Sequence, residues 1–239
     1  MPEILKINNA LLAALPPEIL EQLRPKLENF ELIYNQDIYA AGDVIEHVYF
    51  PESGIISLLA VVGKDSSLEV GIVGDEGMIG IPVFLGETVT NNRAVVQGAG
   101  TALRMTAKDF IYESERGGEL LRVLKKFTHS LMTQISQSAA CNRYHPIEAR
   151  LARWLLMTRD RMKSDEFQIT QEFLSNMLGV RREAVNKAAS DFQHRGLISY
   201  VRGQLSIIEP AKLEGLACAC YAIIAGKAER QLSRAEPAH

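Results

Sequence analysis

The chain has 239 residues, enough for one large or two modest domains, and no run of about 18 apolar residues that could span a membrane. With 47% hydrophobic and 23% charged residues it has an ordinary globular composition, and a formal net charge of -3 does not by itself announce a nucleic-acid binder. Three cysteines, Cys141, Cys218 and Cys220, make an odd count without a spaced framework, which argues against a disulfide scaffold and fits a reducing cytosol.

The opening stretch MPEILKINNALLAALPPEIL lacks a basic segment followed by a long apolar core, so no signal peptide is expected and the protein is expected to be cytoplasmic. Residues up to Leu27 read as helical. Pro16-Pro17 opens a helix at Glu18, with Ile19, Leu20, Leu23 and Leu27 on its apolar side. From Phe30 the period changes to short β-rich segments broken by glycines. Strands are predicted at Val44-Ile45, Val48 to Phe50, Ile55 to Val62, Leu68 to Val73, Ala94 to Gln97 and Thr101 to Met105. Many short strands with glycine turns suggest a sandwich or jelly-roll barrel.

Helical spacing returns at Ala107 and is broken at Arg116-Gly117-Gly118. A longer helix follows, from about Glu119 to Asn142. Leu121, Leu124, Thr128, Leu131, Ile135 and Ser138 recur along it at alternating steps of three and four, as in a two-helix seam. The same spacing also suits a helix packed on its own barrel. His145-Pro146 marks a hinge, because proline disfavours helical geometry at the residue before it and can itself begin the next helix. That next helix, Ile147 to about Met162, carries Leu151, Trp154, Leu155 and Thr158 on one side, and Lys163 to Asp165 is a loop.

The most informative stretch runs from Thr170 to Gly196. Leu174 and Leu178 share one face of a first short helix, Gly179 can take the positive φ of a sharp turn, and a second helix follows. Its buried stripe is Val185, Ala188, Ala189 and Phe192, at i, i+3, i+4 and i+7. Arg182, Glu183 and Lys187 lie on the opposite face, with Arg181 at the helix start. Arginine can donate twice to guanine and a carboxylate can accept from cytosine N4, so these residue types suit a helix that enters the major groove. A plain helical hairpin with a solvated charged face has the same spacing. A strand from Leu197 to Val201, a turn at Arg202-Gly203-Gln204 and a returning strand from Leu205 to Ile208 then read as a wing, with Arg202 near a phosphate backbone or simply exposed. Positive charge also clusters upstream, at Arg150, Arg153, Arg159, Arg161 and Lys163. Glu209-Pro210-Ala211 starts a terminal helix through Leu213, Leu216 and Ala217, and residues 227–239 are polar and expected to be loose.

The T-Q-E-x-L…L-G-V-R-R-E-x-V run, with the wing after it, resembles the Crp/Fnr transcription regulators, and the resemblance extends over nearly the whole chain. It implies an α+β architecture. A cyclic-nucleotide-binding-like jelly-roll barrel would occupy residues 1–112, a dimerisation and linker helix residues 113–143, and a winged helix-turn-helix domain residues 144–239. It implies that Arg182, Glu183 and Lys187 read bases and that Arg181 and Thr170 touch phosphates. The implied partners are double-stranded DNA, a second copy of the chain and RNA polymerase, and the implied function is sequence-specific transcription regulation on a palindromic site. A lysine at position 187 leaves base preference open, because ammonium and guanidinium present different donor geometry.

The barrel departs from the family's cyclic-nucleotide receptors. Gly80 and Arg93-Ala94 match the phosphate-binding pattern, but the glutamate that would hold the ribose hydroxyl is replaced by Ile81, and Pro82 removes an amide donor. Ile135-Ser136 stands where receptors for cyclic AMP carry Thr-Ser. These differences argue against ordinary cyclic AMP binding and for another signal or none. The cysteine distribution excludes the family's N-terminal iron–sulfur site, and lone His47 and His129 make poor haem ligands. Cys218 and Cys220, two apart on an expected helix, point to different sides, so no metal site is expected. Glu69, Asp75 and Glu76 read as a solvated rim, and no enzyme constellation appears. The alternative function is a small-molecule module whose helix-turn-helix contacts protein.

Overall fold

The computed structural model describes residues 7–63 and 66–225; the tail beyond residue 226 read above as loose lies outside them. Two antiparallel sheets form the N-terminal half. One has the order β1 (Glu28–Leu32), β7 (Gly100–Thr106), β3 (His47–Pro51). The other has the order β2 (Asp37–Tyr39), β6 (Asn92–Gly98), β4 (Ile55–Val62), β5 (Ser66–Val73). Alternation decides which side chains meet: Val48, Phe50, Ile56, Leu58, Ala94, Val96 and Met105 share one core between the sheets. Short helices α1 (Ala10–Ala13), α2 (Pro17–Leu23), α3 (Ile81–Phe84) and α4 (Ala107–Glu115) close the ends of this barrel.

Three strands were absent from the sequence reading: β1, β2 and the later β8 (Glu166–Gln168). The predicted strand at Val44-Ile45 is instead a single bridge between Val44 and Val89.

Helix α5 (Gly118–Tyr144) runs from the barrel to the hinge. It is bolted to the edge of β5 by one side chain. Gln134 Oε1 accepts from Ile72 N at 2.6 Å, and Gln134 Nε2 donates to Ile72 O at 3.1 Å, so the amide replaces a missing strand partner. Half of the seam expected for a partner helix faces the chain's own barrel, the alternative that its spacing also suits. Leu124, Leu131 and Ser138 are buried within this one chain, Leu124 and Leu131 in the barrel core, because the sheet already occupies that face. Ile135 packs there too, while Leu121 and Thr128 are half-buried. The exposed stripe lies one position further on, at Lys125, His129, Met132, Ser136, Ala139 and Arg143.

Beyond Pro146, which caps α6 (Ile147–Met162), come β8, α7 (Gln171–Leu178), α8 (Arg182–His194), β9 (Ile198–Val201), β10 (Gln204–Ile207) and α9 (Pro210–Glu214). A third sheet has the order β8-β10-β9. Leu151, Trp154, Leu155, Leu174, Leu178, Val185 and Phe192 build this half's core. Leu59 and Val95, from the outward face of the second barrel sheet, join that same core, so α6 covers the sheet's outer side. Helix α9 ends at Glu214, short of Leu216 and Ala217, and residues 220–225 are helical again.

Candidate nucleic-acid interface

Helix α7 starts where Thr170 Oγ1 accepts from Phe173 N at 3.1 Å, an N-cap that satisfies one of the free amides of the first turn. It stops at Gly179, whose φ of +60 is the left-handed value a C-cap glycine takes. The chain then enters α8 at Arg181, which has no side-chain cap. The first amides of α8 are therefore free on an exposed surface flanked by Arg181 and Arg182, and they favour an anion there. Val185, Ala188, Ala189 and Phe192 are almost wholly buried, which turns Arg182, Glu183 and Lys187 outward. At the wing tip Arg202 and Gly203 take φ of +50 and +84, the two positive values of a tight hairpin turn, and Arg202 is exposed. Thr170 is exposed as well, its oxygen used in the cap.

The upstream basic cluster is not part of this face. Arg161 Nε pairs with Glu76 Oε1 at 2.7 Å, Lys163 Nζ with Asp75 Oδ2 at 2.5 Å, and Arg159 Nε with Asp165 Oδ1 at 2.5 Å. Arg150 and Arg153 are buried, Arg150 donating to Leu178 O and Arg153 to Met157 Sδ. The carboxylates read as a solvated rim are thus partly spent on ion pairs that tie the barrel to α6 and the residue after it. Glu69 belongs to the same boundary. Its Oε2 lies 2.8 Å from Ser57 Oγ, and burial pushes its carboxyl up to about 7 against the opposing pull of Ser57, Arg153, Trp154 and Arg161.

The five pocket residues do not share one environment. Ile81 and Ala94 are packed in the barrel core, and Gly80 begins α3 with φ of +102. Arg93 Nε donates to Asp37 Oδ1 at 2.7 Å, a pairing with neither Glu76 nor Glu87. Ser136 lies on the exposed face of α5 and its hydroxyl donates to Met132 O at 2.9 Å. Between α5 and the Gly74–Gly80 turn the space lined by Glu76, Phe127, Leu131 and Gln134 is about 20 Å³, one water's worth. Phe127 fills the rest: a Cβ on Gly77 would lie 2.0 Å from its Cε2.

The cysteine reading is corrected. Because α9 ends early, Cys218 lies outside any helix and Cys220 opens the next one, so the two thiols need not diverge. Cys141, His145, Cys218 and Cys220 converge, their ligand atoms all within 4.8 Å of one another. Burial pushes the Cys141 thiol up to about 12. The sequence did carry a signal: Cys141 and His145 are four apart across the end of one helix, and Cys218-x-Cys220 is a compact pair.

Residues 149–216 match the Crp-like helix-turn-helix domain. Over 215 residues the chain is 27% identical to the CRP-like cAMP-activated global transcriptional regulator of Mycobacterium tuberculosis, covering 83% of this chain and 91% of that one. Its fold is similar to that of a crp/fnr-family transcriptional regulator from Eubacterium rectale, with TM-score 0.68, 16% identity and coverage of 86% and 96%. It is also similar to FixK2 from Bradyrhizobium japonicum, with TM-score 0.68, 14% identity and coverage of 81% and 98%. The c-di-GMP responsive regulator CLP of Xanthomonas campestris gives TM-score 0.67, 13% identity and coverage of 80% and 99%.

Proposed function

We propose that the chain is a transcription regulator of the Crp/Fnr type that binds a specific palindromic DNA site as a homodimer, a reading supported by the Crp-like helix-turn-helix match and the 27% identical mycobacterial relative. The observation that carries this reading is the outward face of α8: Arg182, Glu183 and Lys187 exposed together above an uncapped helix start. In the major groove those three read base edges, while Arg181, Thr170 and Arg202 hold phosphates on either side. Two copies meet along the exposed stripe of α5, where Met132 is 62% exposed, and set half-sites about one helical turn apart. RNA polymerase is a further partner on this reading.

The barrel, on the same reading, does not respond to cyclic AMP as the mycobacterial relative does. Ile81 packs in the core and offers no acceptor to a ribose, and Arg93 would have to exchange its exposed pairing with Asp37 to meet a cyclic phosphate. That two relatives of this fold respond to different nucleotides, cAMP and c-di-GMP, supports treating the barrel as a scaffold whose ligand is set by its own side chains.

The test is Arg182→Ala on a labelled fragment containing the site. Loss of a bidentate base contact is expected to weaken specific binding by about 1–3 kcal/mol and to relax preference at one base pair per half-site. Unchanged affinity and preference would mean that this face does not enter the groove.

A further inference from the structure

Four side chains from distant parts of the sequence meet where α5 ends. Cys141 sits in the last turns of α5, His145 is its C-cap residue, and Cys218 and Cys220 arrive on the strand of chain that follows α9. Cys141 Sγ and Cys218 Sγ are 3.4 Å apart, and Cys220 Sγ and His145 Nδ1 are 3.5 Å apart. Zinc bound at about 2.3 Å to sulfur and about 2.0–2.1 Å to nitrogen in a tetrahedron places sulfurs about 3.8 Å apart and sulfur and nitrogen about 3.5 Å apart. Of these two pairs one needs a shift of a few tenths of an ångström and the other almost none, and the remaining pairs, all within 4.8 Å, need to contract by about 1 Å at most. Three cysteines and one histidine are a complete ligand set for a closed structural site.

The surroundings point to an ion independently. Gln137, one turn before Cys141, donates from Nε2 to Cys220 Sγ at 3.1 Å, the outer-shell contact a thiolate ligand uses. Arg150 and Arg153 are buried nearby, and among the described residues the Nε–H of each has no acceptor. Two buried guanidiniums with unused donors are costly beside neutral thiols. Zinc with three thiolates and one neutral imidazole carries a net charge of -1, a negative charge beside the two guanidiniums. A Cys141–Cys218 disulfide would leave Cys220, His145, Gln137 and both cations without a role.

We propose that Cys141, His145, Cys218 and Cys220 bind one Zn²⁺ ion per chain. Each of the three thiols gives its proton to solvent as its sulfur binds, and His145 contributes the lone pair of Nδ1, so no oxidant or reductant takes part. The ion joins the hinge end of α5 to the chain after α9 and so fixes the direction in which the helix-turn-helix leaves α5. This second consequence rests on the DNA-binding reading above; the site itself does not.

The test uses the full chain, purified, reduced and stripped of metal. Zinc titrated against a chromophoric chelator is expected to bind at one equivalent. Cobalt is expected to give the sulfur-to-metal charge-transfer band and the intense visible bands of a tetrahedral thiolate site. Cys218→Ser, at a half-exposed position, should abolish the charge-transfer intensity of one sulfur and weaken zinc at least tenfold. Gln137→Ala should keep the spectrum and weaken zinc about tenfold. Substoichiometric zinc in the wild-type chain, an octahedral cobalt spectrum, or a Cys141–Cys218 disulfide that forms while no metal is taken up would each overturn the site. Zinc removal that leaves DNA affinity unchanged, with one-equivalent binding intact, would overturn the coupling to the hinge alone.

Discussion

Glu69 shows how one side chain can tie two halves together. Ser57 Oγ lies 2.8 Å from Glu69 Oε2 and 2.7 Å from Gln97 Oε1, and Gln97 Nε2 donates to Thr158 Oγ1 at 2.8 Å. A hydroxyl has one proton, so an ionised Glu69 and Gln97 must compete for it. A protonated Glu69 can donate to Ser57, and the chain of bonds then runs unbroken from β5 to α6. The carboxyl's value of about 7, against an ordinary 4.5, agrees with that proton being held. The folded state binds the proton more tightly than the unfolded chain does, so stability falls as pH rises through the window from 4.5 to 7 and levels off above it. Thermal unfolding of Glu69→Gln, which keeps a neutral donor, is expected to lose that part of the pH slope. An identical slope in the variant would contradict the assignment. None of this was legible in the sequence, where Glu69 looked like a rim carboxylate, because burial by α6 comes from a segment some 80 positions away.

At the scale of elements, the helix-turn-helix was legible almost residue by residue. Leu174, Leu178, Val185, Ala188, Ala189 and Phe192 are all at most 2% exposed, since a 3.6-residue period states its buried face locally. The strands that alternated or ran apolar, such as β4, were legible for the same reason. Strands β1 and β8 were not, because Glu28, Asn29 and Glu31 or Glu166 and Gln168 sit on their exposed sides and leave too few apolar positions to show a period. The period of α5 could not say which surface it met. Half of its seam faces the chain's own barrel, and the clamp from Gln134 onto Ile72 carries no periodic mark at all. Replacing Gln134 with Leu strands one donor and one acceptor of a buried backbone. We expect a loss of about 1–3 kcal/mol in denaturant unfolding and faster hydrogen exchange at Ile72 N–H. A variant as stable as the wild type, with Ile72 still protected, would show that the clamp adds nothing beyond packing.

The whole molecule adds an arrangement that no single element implies. Helix α7 packs on β5, Tyr34 of the barrel lies 5.9 Å from Phe173 in the first turn of α7, and a Cβ on Gly179 would come within 2.5 Å of Leu68 Cδ1. The helix-turn-helix is therefore seated on its own barrel through both ends of α7, the first of which carries the Thr170 proposed to hold a phosphate. Binding DNA and leaving this seat are coupled on that account, and a signal acts by shifting the population between the two arrangements. The metal-ligand cluster is a whole-molecule feature too: 77 positions separate Cys141 from Cys218, and only the path of the chain after α9 brings them together.

The most direct measurement is fluorescence anisotropy of the full chain on labelled DNA from its own upstream region, with and without cyclic AMP and cyclic GMP, at two salt concentrations. The account predicts specific binding that weakens steeply with salt, as counterions are released from phosphates, and that ignores both nucleotides. Binding that appears only with a cyclic nucleotide would contradict the reading of Ile81 and Arg93. Binding that is indifferent to salt, or no specific binding at all, would contradict the assignment of α8 as the helix that reads DNA.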